Sequence, residues 1–364
     1  MPEFYVEPLT DRWTCFKCNK AATGKKKLFK CAGCEAITYC SVECQRQDWA
    51  RHKYNCVPVM VTEIPGKGRG LVAARDIKKG ELIFEDKDAI KLRVIRDART
   101  KNVLVDTVDE EFVKSLKEQF ENFPAEAKLL FLQLQTSRDT GDFYPFLARR
   151  CFSASDINLV RLFLDNSKHN PFVKDSAVLR LNTELVNHSC SPNAVDDREA
   201  DEDKGAELRA IRDICKGEEV TICYFVNFKQ FGSISRKRKT AIKKVAGFDC
   251  KCPVCLGKVP GQDKMMKKLI ELHTKSGPNP SDWTREVRIR DKIVDLFLDL
   301  EIGPPHDKHE ALAKLVKAAQ LASDPTLLKK AMDKCKKAAE DTKLKSIEQY
   351  CENMERLLAQ GSKR

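Results

Sequence analysis

The chain has 364 residues, 42% of them hydrophobic and 33% charged, with a net charge of +12 and 16 cysteines. This length allows two or three domains. No apolar run approaches the ~18 residues of a transmembrane helix, and the first residues hold no apolar signal-peptide core. The expected compartment is therefore cytoplasmic or nuclear and reducing, where clustered cysteines hold metal more often than they form disulfides.

Residue patterning divides the chain into six segments and predicts an α+β multidomain fold. In chain order, these are the cysteine-rich residues 1–60, the β-patterned residues 61–92, the helically patterned residues 93–180, the strand-and-turn residues 181–229, residues 230–258 with a second cysteine cluster, and the helical residues 259–364.

The first segment holds eight side chains that can bind zinc, at short spacing. They are Cys15, Cys18, Cys31, Cys34, Cys40, Cys44, His52 and Cys56. Eight such ligands suit two tetrahedral zinc sites. A segment of about 42 residues buries little core, so bound metal must supply folding energy. Within it, "SVECQRQDWARH" predicts a short helix. The alternative is disulfides or unrelated free thiols.

The stretch "GKGRGL" (66–71) places glycines at alternate positions. Glycine permits positive φ and close approach of a ligand to the backbone. The stretch is not a dinucleotide-binding fingerprint, because β-patterned sequence follows where a helix would be required. Taken alone, the pattern is typical of a plain hairpin loop.

Two charge runs lie in the second half of the chain. "SRKRKTAIKK" (235–244) predicts a solvated basic helix packed through Ile242 and Val245, with nuclear localisation or DNA binding as the alternative. "DDREADEDKG" (196–205) predicts a hairpin tip between strands near 194–196 and 206–211. That tip could also attract a basic substrate tail.

The last hundred residues predict antiparallel helix pairs. Three helices are expected at about 263–276, 281–301 and 306–323. A fourth follows Asp324 as N-cap, with Pro325 at its first position, and a fifth ends the chain. No fixed 34-residue repeat is visible, so a tetratricopeptide-like arrangement is only a hypothesis.

The second cysteine cluster lies in "GFDCKCPVC" and contributes Cys250, Cys252 and Cys255. Three thiolates are one short of a tetrahedral zinc site. The missing ligand must come from elsewhere in the fold or from another chain, or else the three thiols are free. "NHSCSPNA" (187–194) raises a related question, because Cys190 could be a nucleophile beside His188, a metal ligand or a buried small residue.

The motifs "GKGRGL", "NHSCSPN" (187–193), "GEEVTICY" (217–224) and "FDCKCPVC" (248–255) occur in that order. Together they resemble a SET-domain lysine methyltransferase, and "YCSVECQRQDWARHKYNC" (39–56) resembles a MYND zinc finger. The chain thus resembles the SET and MYND domain-containing (SMYD) protein-lysine methyltransferases, in particular arthropod-type members in which MYND precedes SET. The resemblance implies a β-rich SET fold with a helical insert, a zinc-binding post-SET segment and an all-α C-terminal domain.

The resemblance also implies about three zinc ions and their ligands. One ion would be held by Cys15, Cys18, Cys40 and Cys44, a second by Cys31, Cys34, His52 and Cys56, and a third by Cys190, Cys250, Cys252 and Cys255. In this scheme Cys190 is a zinc ligand and not a nucleophile, and it faces a different partner from its neighbour His188.

S-adenosylmethionine is the cofactor that the resemblance implies, and Tyr224 is the implied catalytic tyrosine. The resemblance implies that Lys67, Gly68 and Arg69 contact the cofactor through their main chain. The other implied cofactor contacts are Asn166, Asn187, His188, Tyr224 and Phe248. Methyl transfer to an amine is an in-line displacement that needs orientation more than covalent catalysis. The target lysine must be neutral, which burial in an apolar channel favours.

The expected function is therefore S-adenosylmethionine-dependent protein-lysine N-methyltransferase, on histone or non-histone proteins. The alternative is an inactive adaptor of the same fold that acts as a transcriptional co-repressor. Expected partners are a lysine-containing protein substrate and proline-containing peptides at the MYND finger. Direct nucleic-acid binding rests on charge alone, no membrane contact is expected, and the chain is expected to be a monomer.

Overall fold

The computed structural model describes residues 14–22, 28–53, 56–87, 89–95, 108–134, 152–169, 175–197, 206–224, 235–277, 279–300, 306–343 and 345–361. The chain divides into two compact units. The first comprises Met1–Arg75, Phe84–Asn187 and Ala200–Ala206, and the second comprises Asp76–Ile83, His188–Glu199 and Glu207–Arg364. Two of the boundaries between the units fall within the strands β5 (Leu82–Asp86) and β9 (Asn187–His188).

The first unit begins with a small cysteine-rich module. Strands β1 (Phe29–Lys30) and β2 (Thr38–Tyr39) pair antiparallel, and helix α1 (Val42–His52) follows. The Ser41 side chain caps α1 by accepting a hydrogen bond from the Cys44 N–H, 3.1 Å away. The structure thus confirms the helix predicted from "SVECQRQDWARH", and an N-terminal cap of this kind stabilises a short helix by about 1 kcal/mol.

Next comes an antiparallel hairpin of β3 (Val59–Ile64) and β4 (Gly68–Ala73). Gly66 and Gly68 both have a φ of 73°, in the left-handed region that favours glycine. The Lys67 N–H closes the turn on the Ile64 carbonyl at 2.9 Å. "GKGRGL" therefore contains a hairpin turn whose glycines are required by the backbone.

The rest of the first unit contains both strands and helices. Strands β6 (Ile90–Arg93), β7 (Lys168–His169) and β8 (Ser176–Leu179) form an antiparallel sheet in the order β6–β8–β7. Helices α2 (Glu110–Glu121), α3 (Ala125–Leu132) and α4 (Ala154–Asn166) accompany it. The sequence did not predict β7 and β8 inside the helical segment, because strands this short carry too few residues for a period to show.

The second unit contains the remaining strands. β10 (Ala194–Asp197) pairs antiparallel with β11 (Ala206–Ala210), and β12 is Glu219–Ile222. These bounds confirm the strands predicted near 194–196 and 206–211. The predicted hairpin tip lies mostly at 198–205, outside the described residues.

The remaining helices of the second unit pack through one apolar cluster that includes Leu312, Val316, Cys335 and Ile347. They are α5 (Ser235–Ala246), α6 (Gln262–Lys275), α7 (Trp283–Asp299), α8 (His306–Leu321), α9 (Pro325–Thr342) and α10 (Lys345–Gly361). Asp324 caps α9 by accepting from the Thr326 and Leu327 N–H groups at 2.8 and 3.2 Å, as predicted. Within the described residues, no helix has the length and apolar character needed to cross a membrane.

Helix α5 differs in part from the prediction of a solvated basic helix. Ile242 is fully buried, as expected, and the side chain of Val245 lies outside the described residues. Arg238, in the middle of the basic run, is also fully buried and pairs with Asp263 of α6 at 2.8 Å. Arg238 lies four residues before Ile242, so both occupy the inner face of the helix.

Candidate functional site

The first metal cluster is formed by Cys15, Cys18, Cys40 and Cys44 in the first unit. Their sulfur atoms all lie within 4.8 Å of one another. The Cys40 Sγ is 3.6 Å from that of Cys18 and 3.5 Å from that of Cys44. A tetrahedron with Zn–S bonds of 2.3 Å has edges of about 3.8 Å, so these thiols fit one zinc ion.

The second cluster, also in the first unit, joins Cys31, Cys34, His52 and Cys56. The His52 Nε2 lies 3.4 Å from the Cys31 Sγ and 3.6 Å from the Cys34 Sγ. A Cβ atom on Gly33 would come within 2.9 Å of the Cys56 Sγ. A glycine is therefore needed beside this cluster, because a side chain would displace one of its four ligands.

The third cluster lies in the second unit, where Cys190 joins Cys250, Cys252 and Cys255, all buried. Its sulfur is 3.9 Å from that of Cys250 and 3.5 Å from that of Cys255. Hydrogen bonding between them raises the pKa of Cys190 far above its usual range and holds the pKa of Cys250 far below it. Metal ions bind the thiolate form, so a bound dication would displace the protons that these thiols share.

In the first unit, the structure brings Arg69 and Asn187 together. The Asn187 Nδ2 donates to the Arg69 carbonyl at 3.1 Å. The Arg69 guanidinium donates to the side-chain and main-chain oxygens of Gln133 at 2.9 and 2.6 Å. Lys67 is exposed at the hairpin turn. The Lys67 N–H, the Arg69 carbonyl and the Arg69 guanidinium are thus engaged within the first unit, which fixes the turn and the start of β4.

Asp86 is a buried polar residue that the sequence analysis missed. Its carboxylate accepts from the Thr183 N–H and hydroxyl at 2.6 and 2.7 Å and from the Asn182 Nδ2 at 3.3 Å. It thereby anchors the chain just before Asn187. The sequence did contain a signal for its burial, because period-2 alternation along β5 places Asp86 on the same inward face as Phe84.

In the second unit, both nitrogens of the buried His188 ring have protein partners. Nδ1 accepts from the Tyr224 backbone N–H at 3.1 Å, and Nε2 lies 3.4 Å from the Cys190 Sγ. Because Nδ1 is an acceptor, the proton belongs on Nε2, directed at the sulfur. His188 and Cys190 were expected to face different partners. In the structure the Cys190 sulfur lies against Cys250 and Cys255 and the His188 ring against Tyr224, and the two side chains also touch each other.

Tyr224 and Phe248 pack against the same imidazole. Their ring centroids lie 5.2 and 6.0 Å from that of His188. Each residue is 37% exposed, so the second unit presents two accessible aromatic rings beside a buried histidine. Such rings can line a channel for the aliphatic part of a long side chain.

Asn193 was also missed by sequence reasoning. It is buried, its Oδ1 accepts from the Thr221 N–H at 2.7 Å, and its Nδ2 donates to the Glu219 carbonyl at 2.8 Å. It thus fixes "NHSCSPNA" to β12, the strand that leads to Tyr224. Asn166, the remaining predicted residue, ends α4 in the first unit and donates to the Leu162 carbonyl at 2.9 Å.

Comparison with known families defines the class of protein. The MYND finger family model matches residues 15–56, and the SET domain family model matches residues 68–225. The chain therefore matches a MYND finger followed by a SET domain, in the predicted order, and the predicted fold class is confirmed. Three zinc sites are supported by the three clusters, each of which offers four ligands, and two of these clusters lie within the MYND match.

Individual relatives are more specific. The chain is 25% identical to the N-lysine methyltransferase SMYD2 of Homo sapiens, over 77% of this chain and 59% of that protein. It is 24% identical to the histone-lysine N-methyltransferase SMYD3 of Mus musculus, over 74% of this chain and 60% of that protein. The chain thus spans about three fifths of the length of these relatives.

One similar solved structure is the SET domain of LSMT bound to lysine and AdoHcy. The alignment covers 83% of this chain and 86% of that chain. The sequence identity is 14%, and the TM-score is 0.33.

Proposed function

We propose that the protein is an S-adenosylmethionine-dependent protein-lysine N-methyltransferase. The observation that carries this proposal is the arrangement of Tyr224 and Phe248 around His188, in motifs that occur in SET-domain order. The named activities of the SMYD2 and SMYD3 relatives support it. The substrate is a protein with an accessible lysine, on a histone or another protein.

The residues fit the cofactor in kind. When bound, S-adenosylmethionine supplies an electrophilic methyl group on a sulfonium. In the first unit, we assign cofactor contact to the main chain of Lys67, Gly68 and Arg69 and to Asn187 and Asn166. In the second, we assign it to His188, Tyr224 and Phe248. Since both ring nitrogens of His188 have protein partners, its main chain is the part assigned to the cofactor.

Tyr224 is assigned the catalytic role. Tyr224 lies two residues after β12 and is 37% exposed, and a phenol oxygen can accept a hydrogen bond from the target amine and orient its lone pair. Apolar contact with Phe248 disfavours the charged ammonium and so favours the neutral nucleophile. These residues supply orientation and desolvation, and no covalent intermediate with the enzyme is needed.

Calorimetry of the purified full chain with S-adenosylmethionine tests the proposal. Saturable binding is expected, and a Phe248→Ala variant should bind more weakly. The matched control is Leu321→Ala, which also removes an exposed large apolar side chain from the second unit, outside the proposed cofactor contacts. Absence of binding to the native chain would refute the proposal. Binding without transfer to any lysine protein would favour the adaptor alternative.

The MYND finger supports a second, binding function, which we propose for proline-containing peptides. Helix α1 exposes two large apolar side chains, Trp49 at 44% and Val42 at 56%. Aromatic side chains of this kind are common anchors for proline-rich segments. A Trp49→Ala variant should lose retention on an immobilised proline-rich peptide, while Leu321→Ala, also at an exposed apolar position, should keep it. Equal retention of both variants would refute this role.

On the same resemblance to SET and MYND proteins, we also propose that the protein is located in the cytoplasm, the nucleus or both.

A further inference from the structure

Helix α5 forms one wall of a groove with a strongly basic lining. The groove has a volume of about 390 Å³ and is lined by Arg236, Lys239, Thr240, Lys243 and Asp249. We call it the basic groove. All its lining residues belong to the second unit. Neither the metal sites nor the proposed cofactor contacts include any of them.

The orientation of α5 is fixed by the residues that it buries. Arg238 and Ile242 are both fully buried, and Arg238 pairs with Asp263. The lining residues of α5 follow the spacing i, i+3, i+4 and i+7 from Arg236, which places them on one face of a helix. Burial of Arg238 therefore fixes the rotation of α5 about its axis, so that Arg236, Lys239 and Lys243 line the groove.

Two positive charges of the basic groove are available to a ligand. Lys243 is engaged, because its Nζ lies 3.2 Å from the Asp249 carboxylate. Arg236 and Lys239 form no ion pair with any residue in the part of the chain that the structure describes. Arg236 is exposed and Lys239 is half-buried, so the guanidinium and the ammonium can both reach an anion in the groove.

The basic groove begins beside the aromatic pair. Asp249 directly follows Phe248, whose ring packs on His188 beside Tyr224. Consecutive Cα atoms are only about 3.8 Å apart, and an extended peptide advances about 3.3 Å per residue. A peptide that placed its lysine at Tyr224 would thus carry residues about three to five positions away into the groove.

We propose that the basic groove binds acidic side chains of the protein substrate, close in sequence to the target lysine. This inference rests on the proposed methyltransferase function and adds a substrate class to it. Carboxylates are favoured over nucleic acid, because Asp249 lines the groove and neutralises one of its cations. A nucleic-acid backbone is bound by rows of cations along a strand, whereas this groove offers two.

Peptide binding measured without the methyl donor tests the inference. Two fluorescent peptides share one lysine and differ only in having either Glu or Gln at positions three to five from it, on both sides. The native chain should bind the Glu peptide about tenfold more tightly in low salt. The preference should shrink toward onefold in 0.5 M salt, as screening predicts.

The deciding variant reverses two groove charges, Arg236→Glu with Lys239→Glu. It should lose the preference for the Glu peptide and keep the affinity for the Gln peptide. The matched control is Lys267→Glu with Lys268→Glu, which reverses two exposed charges on α6 and should retain the tenfold preference. Circular dichroism and thermal unfolding should show that both variants fold like the native chain.

Two results would overturn the inference: an unchanged preference in the groove variant, or tighter binding of an oligonucleotide than of the Glu peptide by the native chain. A methyl-transfer assay on the same two peptides separates this inference from the proposed function. If the groove variant alone loses the binding preference while the native chain methylates neither the peptides nor any protein in histone or cell-extract assays, the groove assignment stands and the methyltransferase proposal fails.

Discussion

The His188 imidazole accepts a hydrogen bond from the Tyr224 backbone N–H at 3.1 Å. The opposite ring nitrogen lies 3.4 Å from the sulfur of Cys190. One side chain thus connects the third metal cluster to the proposed catalytic tyrosine. The bond from the Tyr224 N–H places the imidazole proton on Nε2, facing the Cys190 sulfur, so the position of Tyr224 is coupled to a thiol of the third metal cluster.

Substitutions at His188 should separate its two contacts. His188→Asn keeps an acceptor near the Nδ1 position, whereas His188→Ala leaves the Tyr224 N–H without its partner. We expect His188→Ala to be less stable than His188→Asn by about 1–3 kcal/mol, the cost of an unsatisfied buried donor. Urea denaturation monitored by circular dichroism measures the difference. Equal stability of the two variants would show that the bond to Tyr224 contributes little.

Cys190→Ser should remove one zinc ion per chain. A neutral serine hydroxyl is a much poorer zinc ligand than a thiolate, so metal content should fall from about three to about two ions. Inductively coupled plasma mass spectrometry of the purified protein measures it. Cys215→Ser is the control, because Cys215 is exposed and outside the three clusters. If Cys190→Ser kept the metal content of the native chain, Cys190 would not be a ligand of the third zinc site.

Gly33→Ala should weaken the second finger site. The added Cβ would lie 2.9 Å from the Cys56 Sγ, closer than a carbon and a sulfur can approach without displacement. We expect zinc release to a competing chelator at least about tenfold faster than from the native chain, because outer contacts of metal sites affect affinity by 10–100-fold. Gly277→Ala is the control, since nothing lies within 4 Å of its Cβ position. Identical release rates would contradict the crowding.

Asp263→Asn should destabilise the second unit. It removes the carboxylate that faces the buried Arg238 guanidinium at 2.8 Å. Asp263 is itself partly exposed, so the loss is expected to be about 1–2 kcal/mol and not the larger cost of a fully buried pair. Asp341→Asn, an exposed change on α9, should be neutral. Thermal unfolding distinguishes them, and equal midpoints would mean that the Arg238–Asp263 pair is energetically silent.

Much of this organisation is readable from the sequence, because local spacing encodes it. The cysteine spacing of 15–56 predicts the finger, and the run after Asp324 predicts a capped helix that the structure confirms. Both depend on residues close together in the chain. The glycine turn at 66–68 follows for the same reason.

The features that were missed depend on partners distant in the chain. Asp86 binds Thr183, almost a hundred residues later, and no local pattern specifies that pairing. The basic run predicts Arg238 to be a solvated cation, whereas its tertiary partner Asp263 favours its burial. The contact of His188 with Tyr224 likewise needs a loop and a strand end brought together by folding.

Methyl transfer by the native chain and by Tyr224→Phe tests the central claim most directly. Purified protein is incubated with tritiated S-adenosylmethionine and a substrate, which is histones in one reaction and a whole-cell extract in another. The label in protein lysine is then counted. Tyr350→Phe is the control, because its hydroxyl contacts only the Ala313 carbonyl of the C-terminal helices at 3.3 Å among its described hydrogen bonds. We predict transfer by the native and control proteins and a loss of about a hundredfold in Tyr224→Phe. Label at equal rates in all three proteins would contradict the role of Tyr224, and no label in any of them would contradict the methyltransferase itself.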